Sequence, residues 1–320
     1  MLHILKLIRV QNLIIIALTQ YLFRYAILIP IMKLEDISPV FSNFNFALLV
    51  ISTLLIAAAG YAINDYFDIR IDRINRPDKI VVGKFISRRK VMLLHTVLSI
   101  IAVLIGVYLS FCVGSLKLAA VNIVIATLLW MYSMKYKAYF LVGNLIVAFA
   151  SGMTIVIVWL FEIYALRYQG NITSNPNIID FVTNKIKILN FLLWAYTLFA
   201  FVISLAREII KDIEDVTGDK KCGCSTIPVV IGISKTKYFL LFLLGLSVLL
   251  LSYISYHAYL LPNMKFIFWY LNIVVIIPLI FMGYEIIIAK VKEDYGFLSN
   301  VTKFIMVAGV LSMALIFLKF

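Results

Sequence analysis

Apolar runs long enough to cross a bilayer recur along this chain, and that recurrence limits the fold before any single residue does. A run of about 18 residues spans roughly 30 Å of hydrocarbon as a helix. Nine candidate spans fall near 10–32, 44–63, 91–112, 115–134, 139–163, 189–206, 237–261, 265–289 and 303–319. A backbone in lipid must satisfy its own hydrogen bonds, so helices are expected throughout. The expected class is all-α, a polytopic membrane protein with nine transmembrane helices in one domain covering 1–320. Composition excludes a soluble protein with a large core. Only 14% of residues are charged and 63% are hydrophobic, whereas a soluble domain has about a quarter charged.

Lys6 and Arg9 precede the first apolar run. That run is too long for a cleaved signal and reads as a retained span. The three cysteines, Cys112, Cys222 and Cys224, make no disulfide framework. Cys222 and Cys224 flank one Gly with no His nearby and read as incidental. The net charge of +13 reports orientation and anionic lipid contact rather than nucleic acid. With nine spans, the side of the N-terminus carries 21 of the 29 Lys and Arg residues and the other side seven; Arg24 lies within span one. The positive-inside rule makes the N-terminus and the connections after spans two, four, six and eight cytoplasmic. The chain is expected in the cell membrane. Arg24 is a charge at membrane depth, either functional or snorkelling to the outer interface. Glu162 and Glu285 sit near span ends and need no special reading. His95 and His257 are isolated and suit core or interface roles. The outer connection 164–188 reads as a solvated loop, and its Asn171-Ile172-Thr173 pattern is assigned no function.

Eight of the 16 acidic residues fall in two short segments. The first is Asn64-Asp65-Tyr66-Phe67-Asp68-Ile69-Arg70-Ile71-Asp72, after span two. The second runs from Glu208 to Asp219, after span six. Asp65, Asp68 and Asp72 repeat as Asp212, Asp215 and Asp219 at a constant offset of 147 residues, which looks like an internal duplication. On a helix, positions i, i+3 and i+7 share a face, so each set makes a carboxylate stripe. Asn64, Asp68 and Asp72 form an adjacent i, i+4, i+8 stripe. Such stripes repel themselves unless a hard cation intervenes, and Mg2+ takes oxygen ligands from one or two carboxylates plus substrate phosphates. The candidate metal ligands are therefore Asn64, Asp65, Asp68, Asp72, Asp212, Asp215 and Asp219. Nearby Arg76, Lys79, Lys137 and Lys211 could neutralise a diphosphate, whose C–O bond breaks more easily when its leaving oxygens are stabilised. The bland alternative is a pair of solvated juxtamembrane loops. A calcium loop lacks its Asp-Gly pattern here.

Asn64-Asp65-x-x-Asp68-x-x-x-Asp72 followed by Arg76-Pro77 resembles the first signature of the UbiA superfamily of intramembrane prenyltransferases. Asp212-x-x-Asp215-x-x-x-Asp219 resembles its second. Tyr132-Ser133-x-x-x-Lys137 and Arg9-x-x-Asn12 are similar to further motifs, which add Tyr132 and Asn12 to the substrate-binding candidates. The resemblance implies nine helices around a central cavity open sideways to lipid. It implies that Asn64, Asp68, Asp72, Asp215 and Asp219 hold two Mg2+ on a polyprenyl diphosphate of geranylgeranyl type. Arg76 and Lys137 would contact phosphate oxygens, and the allylic cation would be attacked by a lipid or aromatic acceptor. Asp68, Asp72, Asp215 and Asp219 are then the catalytic set. The segment Pro77–Ser87 departs from the family pattern, with Lys79 where a second Arg-Pro is common. The motif runs look most like the branch whose acceptor is a prenylglycerol phosphate, giving an ether lipid.

Two other classes compete: an ion-coupled transporter, whose acids would lie at mid-membrane, and a non-catalytic scaffold, which needs no intact acid set. An aromatic acceptor of quinone biosynthesis is the alternative within the enzyme class. Orientation is directly testable. In a background without native cysteines, Lys84→Cys is expected to label from the cytoplasmic side and Asn175→Cys from the other; labelling of both from one side overturns the nine-span order.

Overall fold

The computed structural model describes residues 2–34, 36–169, 186–261 and 264–317. Most of the outer connection 164–188, with Asn171, lies outside the described residues. Among those residues nine helices are long and apolar enough to cross a membrane. They are α1 Val10–Leu34, α2 Asn43–Asn75, α3 Arg88–Cys112, α4 Lys117–Met134, α5 Val142–Tyr168, α6 Ile186–Cys222, α7 Ile233–Leu260, α8 Lys265–Ile288 and α9 Lys292–Phe317. A short helix, Leu2–Leu7, precedes α1.

The helices outrun their apolar stretches. α2 continues to Asn75 and α6 to Cys222, so both acidic segments are helical. α9 begins at Lys292, well before the expected 303. Asp294 explains that start: its Oδ2 accepts the main-chain N–H of Lys290 at 2.7 Å and of Val291 at 3.0 Å. These are the donors that an opening helix leaves unsatisfied. Tyr295 and Leu298 of these first turns are buried, while Lys292 and Glu293 stay exposed.

The chain divides into two compact units, residues 1–136 with 153–195 and residues 137–152 with 196–320. In the first unit α2 packs against α1, α3 and α4. Small residues let the backbones approach, as is common where lipid removes the hydrophobic drive between helices. Ser52 Oγ donates to Ala102 O at 2.8 Å and accepts from Asn122 Nδ2 at 3.2 Å. A Cβ on Gly106 would come within 2.0 Å of that Asn122 amide, so only Gly fits there. His95 pairs through Nδ1 with Ala59 O at 3.1 Å, a core role.

Arg24 does not snorkel. It sits on a π-helical turn, Phe23–Leu28, and is fully buried. It makes a close ion pair with Glu162 of α5 and donates to the Phe41 carbonyl and, at 2.9 Å, to Asn43 Oδ1. Its guanidinium carbon stands 4.5 Å from the Phe46 ring centre. Glu162, unremarkable in the sequence, is its counter-charge and is equally buried.

In the second unit α8 packs between α7 and α9. A π-helical turn, Leu271–Ile276, presents Asn272 Nδ2 to Ser255 Oγ of α7 at 2.6 Å. Tyr270 donates to Ala308 O of α9 at 2.9 Å. A Cβ on Gly309 would meet the Phe199 ring at 2.1 Å, a second close helix crossing.

The Arg24–Glu162 pair generates a prediction. Breaking a buried pair from one side costs about 3–5 kcal/mol, because the remaining charge is left uncompensated, whereas replacing both can be nearly neutral. Arg24→Met alone is expected to lower the melting temperature of the purified protein more than Arg24→Met with Glu162→Met. Additive losses in a double-mutant cycle would show that the two charges are uncoupled.

Candidate metal–diphosphate site

The first acidic segment occupies the last turns of α2. Asn64 Nδ2 donates to Asp68 Oδ2 at 2.7 Å, which places the two on one helix face as the i, i+4 spacing requires. Asn64 Oδ1 is buried and accepts no hydrogen bond among the described residues. Asp65 belongs to the neighbouring face. It accepts from the Arg9 guanidinium at 2.9 Å. Arg9 reaches it from a left-handed backbone, φ 51°, between Leu2–Leu7 and α1, a conformation uncommon for a residue with a side chain. Arg9 also lies over the Tyr61 ring, 5.0 Å from its centre, and Asn12 Nδ2 donates to Tyr61 Oη at 3.3 Å. Arg9, Asn12, Tyr61 and Asp65 thus form one set beside the stripe.

α2 stops where Pro77 cannot continue it. The Arg76 N–H closes the last turn on Asp72 O at 2.7 Å. The departing segment folds as a turn at Pro77–Lys79, then a Val82–Ile86 bridge around Gly83 at φ 84°. Val82 joins Leu7, Ala62 and Val91 in a small core that Tyr66 and Ile69 flank. Arg88 covers the Tyr66 ring at 4.5 Å.

The second segment occupies the end of α6. Asp212 Oδ2 accepts Asn144 Nδ2 of α5 at 2.7 Å. Asp219 Oδ2 accepts the Thr226 hydroxyl at 3.1 Å, and its carbonyl accepts Cys224 N–H at 2.9 Å. Asp215 and Lys137 both lie within electrostatic reach of Asp219. Lys137 rides on the turn Tyr136–Ala138, which Ser225 N–H ties down through Ala138 O at 2.7 Å. Lys211 Nζ is 3.1 Å from Glu208 Oε2, and Arg207 is 3.1 Å from Glu208 Oε1. Burial, and then the Asp219 carboxylate, push the Cys224 thiol up.

Of the expected residues, then, the first unit joins Asn64 with Asp68 and Asn12 with the Asp65 set. The second unit joins Lys137, Asp215 and Asp219. Tyr132 lies in the last turn of α4. Arg9, Tyr61, Asn144, Glu208 and Thr226 were not among the expected site residues. Asn144 had a signal, as an amide opening an apolar run. Thr226 had none, because only the turn after α6 brings it to Asp219. No three Asp, Glu, His or Cys side chains converge into a metal cage among the described residues. The donors are hard oxygens, and Asn64 Oδ1 accepts no hydrogen bond among the described residues. That set fits Mg2+, which binds through few carboxylates and completes its shell with substrate phosphates and water.

A model of the UbiA prenyltransferase family matches residues 37–296. A digeranylgeranylglyceryl phosphate synthase of Methanosphaera stadtmanae is 28% identical over 275 residues, 85% of this chain and 88% of that protein. A solved structure of a digeranylgeranylglyceryl phosphate synthase superposes with a TM-score of 0.58 at 25% identity, covering 98% of both chains. A UbiA homologue of Archaeoglobus fulgidus bound to GPP and Mg2+ superposes with a TM-score of 0.55 at 17% identity, covering 98% of this chain and 99% of that one. With nine helices long and apolar enough to cross a membrane among its described residues, and both acidic segments inside the matched range, this integral membrane chain belongs to the UbiA prenyltransferase family.

Proposed function

We propose that this chain transfers a prenyl group from a polyprenyl diphosphate, of geranylgeranyl type, to a prenylglycerol phosphate, with Mg2+ as cofactor. The observation that carries the reading is the exact repeat of Asp65, Asp68 and Asp72 as Asp212, Asp215 and Asp219, on two helices that run past their apolar stretches. The likeness over nearly the full length to a digeranylgeranylglyceryl phosphate synthase supports the ether-lipid product. The GPP and Mg2+ bound by a protein of the same fold support the donor and the metal.

In this reading the chain is one catalytic domain, and both acidic segments serve one diphosphate. Asn64, Asp68, Asp72, Asp212, Asp215 and Asp219 hold the metal, with Asp65, tied to Arg9, beside them. Bound Mg2+ supplies charge stabilisation to the leaving oxygens. Arg76, Lys137 and Lys211 hold non-bridging oxygens, and Glu208 keeps Lys211 oriented; the Lys79 side chain lies outside what the structure describes. Asn12 and Tyr132 orient the donor. The allylic C–O bond breaks with its electrons going to diphosphate, the acceptor hydroxyl oxygen closes on the carbon, and the hydroxyl proton passes to the released diphosphate. The motif ends face the cytoplasm, where Arg70, Arg73, Arg76 and Lys84 favour an anionic headgroup. The acceptor's own chain stays in lipid.

Asp68→Ala and Asp215→Ala are each expected to lower diphosphate release at least 100-fold while the protein still inserts, since a lost ligand removes several kcal/mol of stabilisation at the leaving group. Near-wild-type turnover in either removes that residue from the site. For the acceptor, the purified chain is given geranylgeranyl diphosphate and Mg2+ with geranylgeranylglyceryl phosphate, 4-hydroxybenzoate or a dihydroxynaphthoate. Mass spectrometry is expected to find an ether product with the first alone. A product only with an aromatic acceptor overturns the ether-lipid assignment.

A further inference from the structure

Two carboxylates of the second acidic segment, Asp212 and Asp219, take hydrogen bonds from neutral donors. Asn144, buried near the start of α5, gives its amide to Asp212 at 2.7 Å. Thr226, buried in the turn that follows α6, gives its hydroxyl to Asp219 at 3.1 Å. The backbone makes that second contact possible: Gly223 at φ 75° reverses the chain, and Cys224 N–H returns to Asp219 O. Ser225 N–H then anchors the Lys137 turn through Ala138 O.

The first segment is wired differently. The residue that corresponds to Asp212 there is Asp65, and a guanidinium meets it. An arginine satisfies both the geometry and the charge of a carboxylate. An amide or a hydroxyl fixes one oxygen's direction but brings no positive charge. Asp212 and Asp219 are therefore oriented by neutral donors, while Lys211 and Lys137 act on them through their charge, which suits a carboxylate that must still meet a cation. Metal sites commonly depend on such outer hydrogen bonds, and losing one costs about 10–100-fold in metal affinity.

We propose that Asn144 and Thr226 are positioning residues that aim Asp212 and Asp219 at the divalent cation of the prenyl diphosphate. The proposal rests on the Mg2+-dependent reading above and adds to it which residues set the metal's affinity. Neither side chain touches the reacting atoms. Each acts through one carboxylate, and the two act from different stretches of chain, one before α6 and one after it.

The test uses the full chain in lipid nanodiscs, as wild type, Asn144→Leu, Thr226→Val and Thr226→Ser. Three quantities are read: Mn2+ binding by electron paramagnetic resonance with inorganic diphosphate present, the Mg2+ concentration for half-maximal diphosphate release, and the melting temperature. Asn144→Leu and Thr226→Val are expected to weaken Mn2+ binding and raise the Mg2+ midpoint by about 10–100-fold. Thr226→Ser, which keeps the hydroxyl, is expected to return both to near wild type. Unchanged metal midpoints in Asn144→Leu and Thr226→Val overturn the proposal, whether or not stability or maximal rate falls. If Asn144→Leu does not fold, the Val and Ser variants of Thr226 decide. A wild type that releases no diphosphate but loses Mn2+ affinity in these variants sinks the prenyl-transfer reading and leaves the positioning role standing.

Discussion

A peptide group in hydrocarbon has no water to bond, and the rest of this structure follows from that demand. It makes each crossing segment a helix, and a helix does not end where its apolar residues end. It ends where caps and turns take over its last donors and acceptors. In α2 and α6 that point lies well beyond the apolar stretch, at Asn75 and Cys222. The acids between are therefore carried on rigid helix. Their mutual spacing is set by backbone geometry rather than by loop conformation, and Asn64 can reach Asp68 only because of it.

The two acidic segments share a spacing but not an environment. Asp65 is tied to Arg9, and through Tyr61 to Asn12, so the start of α1 and the end of α2 are braced together. Asp212 and Asp219 hang from an amide and a hydroxyl. The repeat keeps the acids in register while their hydrogen-bond partners differ. The Glu208 carboxylate adds to the contrast, since it occupies Lys211 from within the same helix.

Much of this was readable in the sequence, because its strongest signals are local. Apolar run length fixes the existence of nine spans, and the i, i+4 period predicts the Asn64–Asp68 face. What the sequence hid depends on residues far apart along it. The ninth helix begins at Lys292 because Asp294 caps it and Tyr295 and Leu298 find a core, and hydropathy sees only Glu293, Asp294 and Lys292. Glu162 was passed over because nothing near it in sequence names its partner. Asn144 and Thr226 were missed for the same reason. Their relation to Asp212 and Asp219 is made by helix packing and by one reversing turn.

The buried ion pair has a consequence for how the chain is made. Arg24 and Glu162 are 138 residues apart, and at about 5–20 residues per second the ribosome takes roughly 7–28 s to get from one to the other. For that interval α1 carries an arginine with no counter-charge, at a cost of about 2.5–3.5 kcal/mol on the insertion scale. The Arg24–Glu162 contact can close only after α5 has been made, so this part of the first unit cannot be complete before then.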